Sequence, residues 1–423
     1  MGKDPDGTVS HRKVVLTCVV VVAAAYGVAG LLFGPTPESA PQAADNSYVT
    51  PPVQFPVRIP GCDIVEPPRD GGLSGVVFGV QEGYDNPAYP WFSGRRAMAM
   101  TDALRAALPA DAEIAFASPR ASLVFQPILG DDSRRDEFGS ETDARATVLR
   151  GDRAGALRVA VRQSARPVPP CVAGALDERR ALADGTVVDV QDTWYEMNRV
   201  RTLSRTATAY LPDGTVASAN ATDEAAGRAA AVPLTVDELV TIVTTPGLRV
   251  TVPIPPGTPD PPGRCITGLD RSPEIDEARA RRMNAVLAAI PLDGLRVDRP
   301  LGALLPADWG GLCQVVRTGE PGEDALLSIQ ITTGQSLPQQ DSPDDGTTSR
   351  RLADGAVLAS RESRYGVSGP ASSALTMRRS RTVTVTRPSG TQIEVTSTVA
   401  AADEPVSWAL LESIAANPGL DVS

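Results

Sequence analysis

A serine, threonine or cysteine becomes a nucleophile when a neighbouring base takes its proton, and this chain has few bases to offer. Its one histidine is His11 and its two lysines are Lys3 and Lys13. Beyond residue 13 there is no imidazole and no side-chain amine. That excludes Ser-His-Asp and Cys-His catalysis, histidine-ligated zinc, Ser-Lys dyads, Schiff-base chemistry and the P-loop lysine. Arginine stays protonated and tyrosine titrates at about 10, so neither takes the role of base.

Carboxylates remain, 51 of them counting Asp and Glu together. Two that converge across about 5 to 10 Å can hydrolyse a glycosidic bond, which keeps a carboxylate-based envelope hydrolase as the alternative reading. Aromatic residues make up 4% of the chain, too few for the platforms that sugar clefts use, so the leading reading is a non-catalytic binding, sensing or scaffolding module. No cofactor or metal is expected. The acidic run at 341–350 imitates a calcium loop, but Pro343 and Leu352 stand where the loop needs ligands. The binding candidates are Arg205 and Arg381, each in an "SRT" string. Strand alternation sets them on the same side as Ala207 and Val383, where a guanidinium binds an anionic ligand or pairs inside the protein. The four tryptophans, Trp91, Trp194, Trp309 and Trp408, read as core or interface anchors.

These residues must be positioned by elements, and the chain writes its elements twice. "RALADGTV" at 180–187 matches "RRLADGAV" at 350–357, "SRTATAYLPDGT" at 204–215 matches "SRTVTVTRPSGT" at 380–391, and "PLTVDELVTIVTTPGL" at 233–248 matches "PVSWALLESIAANPGL" at 405–420. The offsets are 170, 176 and 172 residues, so the length changes fall between the matched segments and indicate a duplicated domain. Each copy reads as an amphipathic helix, then alternating β-branched strands joined by Asp-Gly or Ser-Gly turns, then a closing helix. The first helix has Met100, Leu104 and Leu108 on one stripe; its counterpart has Ser272 as N-cap, Pro273 at the first helical position, and Met283, Val286, Leu287 and Ile290. The closing helix of the first copy opens with a capping box, Thr235 to Glu238. The expected fold is α+β: two tandem antiparallel sheets, each with helices on one face.

The expected order along the chain begins with a cytoplasmic tail (1–13) and a transmembrane helix (14–33), an apolar stretch without charge preceded by Arg12 and Lys13; the rival reading is a signal peptide cleaved near Ala25–Gly27, against which the apolar run continues to Phe33. A Pro-rich spacer (34–60), the first repeat (61–250), a Pro-rich linker (251–264) and the second repeat (265–423) follow. The ectodomain lies outside the cell membrane, where disulfides persist. Cys62 with Cys171 and Cys265 with Cys313 are the pairings that stay within one repeat. A net charge of −11 argues against nucleic-acid binding; the expected partners are the membrane, through the anchor, and a membrane or envelope protein. The "ADGT" hairpins, the "SRT" strand and the closing "PLTVDELVTIVTTPGL" resemble sequences of uncharacterised membrane-anchored ectodomain proteins of actinobacteria. The resemblance implies the compartment and no activity.

Overall fold

The computed structural model describes residues 54–68, 83–128, 140–197, 200–224, 229–263, 265, 272–320, 325–338, 346–369 and 372–422. The apolar stretch at 14–33, with Cys18 and His11, lies outside the described residues, as do most of the spacer and residues 341–345 of the acidic run. No helix among the described residues is long and apolar enough to cross a membrane. Residues from Phe55 onward form one compact unit.

The first repeat runs β1 (Val65–Glu66), α1 (Gly94–Ala106), β2 (Glu113–Ile114), β3 (Thr142–Arg150), β4 (Arg153–Gln163), β5 (Cys171–Val172), β6 (Glu178–Ala181), β7 (Val187–Met197), β8 (Val200–Tyr210), β9 (Thr215–Thr222), β10 (Ala229–Ala230) and α2 (Val236–Val243). The second runs α3 (Glu277–Ala288), β11 (Leu305–Pro306), β12 (Leu312–Thr318), β13 (Ala325–Thr332), β14 (Thr347–Arg351), β15 (Val357–Gly369), β16 (Ser372–Thr386), β17 (Gln392–Ala400) and α4 (Trp408–Ala415). The main sheets have orders β2-β3-β4-β9-β8-β7-β6 and β11-β12-β13-β17-β16-β15-β14, the same path strand for strand. In each, a hairpin forms first, the chain crosses to the far edge, and three strands meander back to pair beside the hairpin. A short β10 adds to β4, and β1 pairs with β5 apart from the main sheet.

Period-two alternation explains the cores. In β16 and β17, Val383, Val385, Ile393 and Val395 are fully buried, while Thr382, Thr384, Glu394 and Thr396 occupy the opposite face. The buried rows meet Met283 and Leu287 of α3 and Leu411 and Ile414 of α4 in one cluster. In the first repeat, Leu157, Val159, Ala207, Ala219 and their neighbours meet Met100 and Leu104 of α1 and Leu239 and Ile242 of α2. Two cores thus lie under two sheets of one topology. Both Gly214 and Gly390, in the matched turns, have φ near +84° (83° and 84°), a backbone conformation that favours glycine.

The structure holds the bridges Cys62–Cys171 and Cys265–Cys313. Their first cysteines open each repeat, but their partners are not equivalent, since Cys171 lies in β5, after the first hairpin, and Cys313 lies in β12, within it. One expectation fails: α3 begins at Glu277 with Asp276 as N-cap, not at Ser272. Ser272 is engaged elsewhere. Its amide donates to Trp309 O (3.0 Å) and its hydroxyl accepts from Thr333 N (2.9 Å), fastening the approach to the helix onto the end of β13. Of the tryptophans expected in a core or at an interface, Trp194 and Trp309 are 37% and 53% exposed and lie outside both cores, whereas Trp91 packs on Phe92 with ring centres 5.3 Å apart.

Candidate ligand-binding cavity between the repeats

The segment from Thr251 to Gly263 is rich in proline, which has no amide hydrogen to donate, so arginine side chains hold it through its carbonyls. Arg96 Nη1 donates to Val252 O (2.7 Å) and Arg95 Nε to Thr258 O (3.0 Å), which lays the segment along the start of α1. Arg299 Nη2 donates to Asp260 O (2.8 Å), and Arg317 stands 3.7 Å from the Asp260 carboxylate. One segment is therefore tied to both repeats.

Where it ends there is a cavity of about 310 Å³. Its walls are Ala280 and Asn284 of α3, the run Leu304 to Pro306 around β11, Phe116 from the first repeat, and the Cys265–Cys313 bridge. Phe116 also packs on the core of the second repeat, and Arg120 faces Asp308 at 3.4 Å, so the first repeat closes one side. Two polar side chains set the shape. Gln314, 5% exposed and on the core-facing side of β12, accepts from Gly302 N (2.9 Å) and Ala303 N (3.0 Å) and donates to Pro300 O (2.9 Å). Asn284 Oδ1 accepts from Leu304 N (2.8 Å), leaving its Nδ2 without a partner among the described residues. Gly302 has φ +97°, and a Cβ there would lie 2.4 Å from Asn284 O, so this loop meets α3 only with glycine.

The charges in the wall come in opposite-sign pairs. Glu277 lies 4.0 Å from Arg281 one helical turn on, and Asp308 faces Arg120. The cavity is thus mainly apolar, with balanced charge at its edge and one amide donor on offer, a pattern that suits a small and largely uncharged ligand.

Arg205 and Arg381 lie elsewhere, and both are engaged inside the protein. Arg205 Nε donates to Asp192 (2.9 Å) and Nη1 to Leu234 O (3.1 Å). Arg381 repeats this with Glu362 (2.9 Å) and Pro405 O (3.3 Å), adds Glu404, and lies over the Trp408 ring at 5.3 Å. In both copies the arginine links the neighbouring strand to the backbone leading into the closing helix. That shared duty accounts for the repeated "SRT".

A wider cleft of about 770 Å³ lies at one end of the first sheet, with Tyr89, Trp91, Arg166, Tyr210 and Asp213 in its walls. Asp213 is already used: it accepts from Thr215 N (3.0 Å) and from Thr251 Oγ1 (2.6 Å). Burial pushes the Tyr210 hydroxyl up, with Asp189 adding to the effect. Among the described carboxyls, Glu394 is pushed up by burial, partly offset by Arg361, and its cross-strand neighbours are Gln330 and Thr384 rather than a second acid. No group of three or more His, Cys, Asp or Glu among the described residues could hold a metal ion.

No protein-family model matches the chain, and no curated protein matches it. A search of solved structures returns the crystal structure of the di-domain ARO/CYC StfQ from the steffimycin biosynthetic pathway, 12% identical, covering 77% of this chain and 86% of that one with a TM-score of 0.14. At that score the likeness carries no argument about fold or activity.

Sequence reasoning missed the cavity. A faint signal existed in Gln314, a polar residue on the buried side of the strand "LCQVV", and in Asn284 beside Met283 on an apolar helix stripe. Neither points across the chain to Phe116.

Proposed function

We propose that this chain is a non-catalytic, membrane-tethered binding module of the cell envelope, whose repeats hold one small, mainly apolar ligand between them. The observation that carries the reading is the cavity at the repeat junction, with apolar walls, ion-paired acids at its edge and the free Asn284 Nδ2. The lack of imidazole and amine beyond residue 13 supports a binder over an enzyme. The uncharged stretch at 14–33 supports the tether. Because ligand contacts would come from both repeats, occupancy would favour one relative placement of them, which is what a sensor needs.

A second reading draws on Glu277 and Asp308 standing in the same wall, which is the raw material of a carboxylate hydrolase. One experiment separates the two. The full chain is titrated with 1-anilinonaphthalene-8-sulfonate as an apolar probe, alongside Ala303→Trp, which fills the cavity from an exposed position. Binding predicts saturable emission that falls at least tenfold in affinity in the variant. Emission indifferent to Ala303→Trp would reject the cavity as the site. Turnover of aryl glycosides lost in Glu277→Gln would establish the hydrolase instead.

A further inference from the structure

Neither amide side chain in the cavity wall has a choice of orientation. The atom of Asn284 that lies 2.8 Å from Leu304 N is its oxygen, because a backbone N–H needs an acceptor. Gln314 is fixed from both ends, with Gly302 N and Ala303 N converging on its oxygen while its nitrogen faces Pro300 O. What each amide still offers a ligand can therefore be counted atom by atom.

The remainder is unequal. Gln314 Oε1 has both lone pairs occupied, while Nε2 keeps one of its two hydrogens. Asn284 Oδ1 keeps one lone pair, and Nδ2 keeps both hydrogens. One hydrogen from Gln314 and two from Asn284 make three, against a single lone pair. Gln314 is 5% exposed, so bulk water does not serve its spare N–H, and a buried donor left unmade is unfavourable. The rest of the wall does not restore the balance. Cys313 Sγ already accepts from Cys265 N (2.9 Å), and Arg299 Nη2 donates to Asp260 O and to Asp298. Glu277 and Asp308 are ion-paired at the edge.

Size narrows the class further. A volume of about 310 Å³ is about ten times one water molecule's share of the liquid. That admits one short chain and excludes a two-chain lipid.

We infer that the ligand is a single-chain apolar compound of about ten heavy atoms whose polar group accepts hydrogen bonds and donates none, a ketone, ester or ether oxygen, and that Asn284 and Gln314 select it. The inference rests on the cavity being the ligand site, as proposed above. An alcohol on the same skeleton fits the same space, but it brings a further donor to a wall that is short of acceptors.

The test compares 2-nonanone with 2-nonanol, which share a skeleton. Each is titrated calorimetrically into the full chain in mild detergent, and Ala303→Trp in the same detergent gives the background of partition into micelles. The parent should bind the ketone at least about fivefold more tightly than the alcohol, the worth of one hydrogen bond. Asn284→Asp keeps an acceptor for Leu304 N and replaces Nδ2 by a second oxygen, so it should reverse the order. The infrared carbonyl stretch of 2-nonanone should also fall in frequency with the parent relative to Ala303→Trp, a signature of a bond to the carbonyl that needs no change at Asn284. Equal affinity for both probes in the parent, or a carbonyl stretch the same in parent and Ala303→Trp despite ketone binding, would overturn the inference and leave the cavity as the site. Heats of both probes indistinguishable from those of Ala303→Trp would overturn it together with the reading on which it rests.

Discussion

Arginine supplies nearly all the cationic contacts of the described fold, and the two copies reuse the same contacts with different residues. Asp184 and Asp354 occupy the same place in the "ADG" turns; Arg249 reaches the first at 2.9 Å from beyond α2, while Arg387 reaches the second at 3.0 Å from the end of β16. Matching strings disclosed the aspartates but not their partners, because the arginines arrive from unmatched positions. Glu394 is a different case, its carboxyl raised by burial with Arg361 only partly offsetting it. A raised carboxyl binds its proton more tightly in the folded state, so its contribution is favourable below the unfolded glutamate value of about 4.3 and is lost as pH rises through the folded value. Glu394→Gln should therefore be more stable than the parent at pH 7, and the gain should shrink toward zero below about pH 4 when both are melted across that range. A variant that is less stable at pH 7 would mean the carboxylate is held by a favourable partner.

Elements were the most legible level, for local reasons. The Thr235–Glu238 capping box forms as written, with Glu238 N donating to Thr235 Oγ1 (3.2 Å) and Thr235 N to Glu238 Oε2 (2.8 Å). The "DG" and "SG" turns form because glycine accepts the positive φ they require. The start of α3 was misread because "SPE" and "DEA" both satisfy the rules for a cap, and only the distant Thr333 decides that Ser272 is occupied. In both copies "PGL" forms a 3-10 turn after the closing helix. The end of α4 has its own device: Arg387, 4% exposed, donates to Ala416 O (3.0 Å) and Asn417 O (2.9 Å), placing a cation where a helix C-terminus is negative. Arg387→Met keeps the bulk and removes those bonds, and should cost about 2–3 kcal/mol in denaturant unfolding. A loss below about 0.5 kcal/mol would show that water replaces the cap.

At the scale of the whole molecule, the duplication was readable because turns and caps are local signals that survive in a single string, and the two cores follow from it. The junction was not, because it is made by groups far apart in sequence: Phe116 against the second core, Arg120 on Asp308, and Arg299 and Arg96 on a linker without amides to spare. The described part of the Pro-rich linker, residues 251–263, is held against both repeats. That junction is where the proposed ligand would sit, and the most direct measurement is to recover it. The full chain is purified from the cells that make it in mild detergent and then denatured, and the released small molecules are identified by mass. The account predicts one mainly apolar compound, equimolar with the protein, chemically unchanged after prolonged incubation and absent from Ala303→Trp prepared in the same way. A compound retained equally by Ala303→Trp, or one that is cleaved during the incubation, would contradict it.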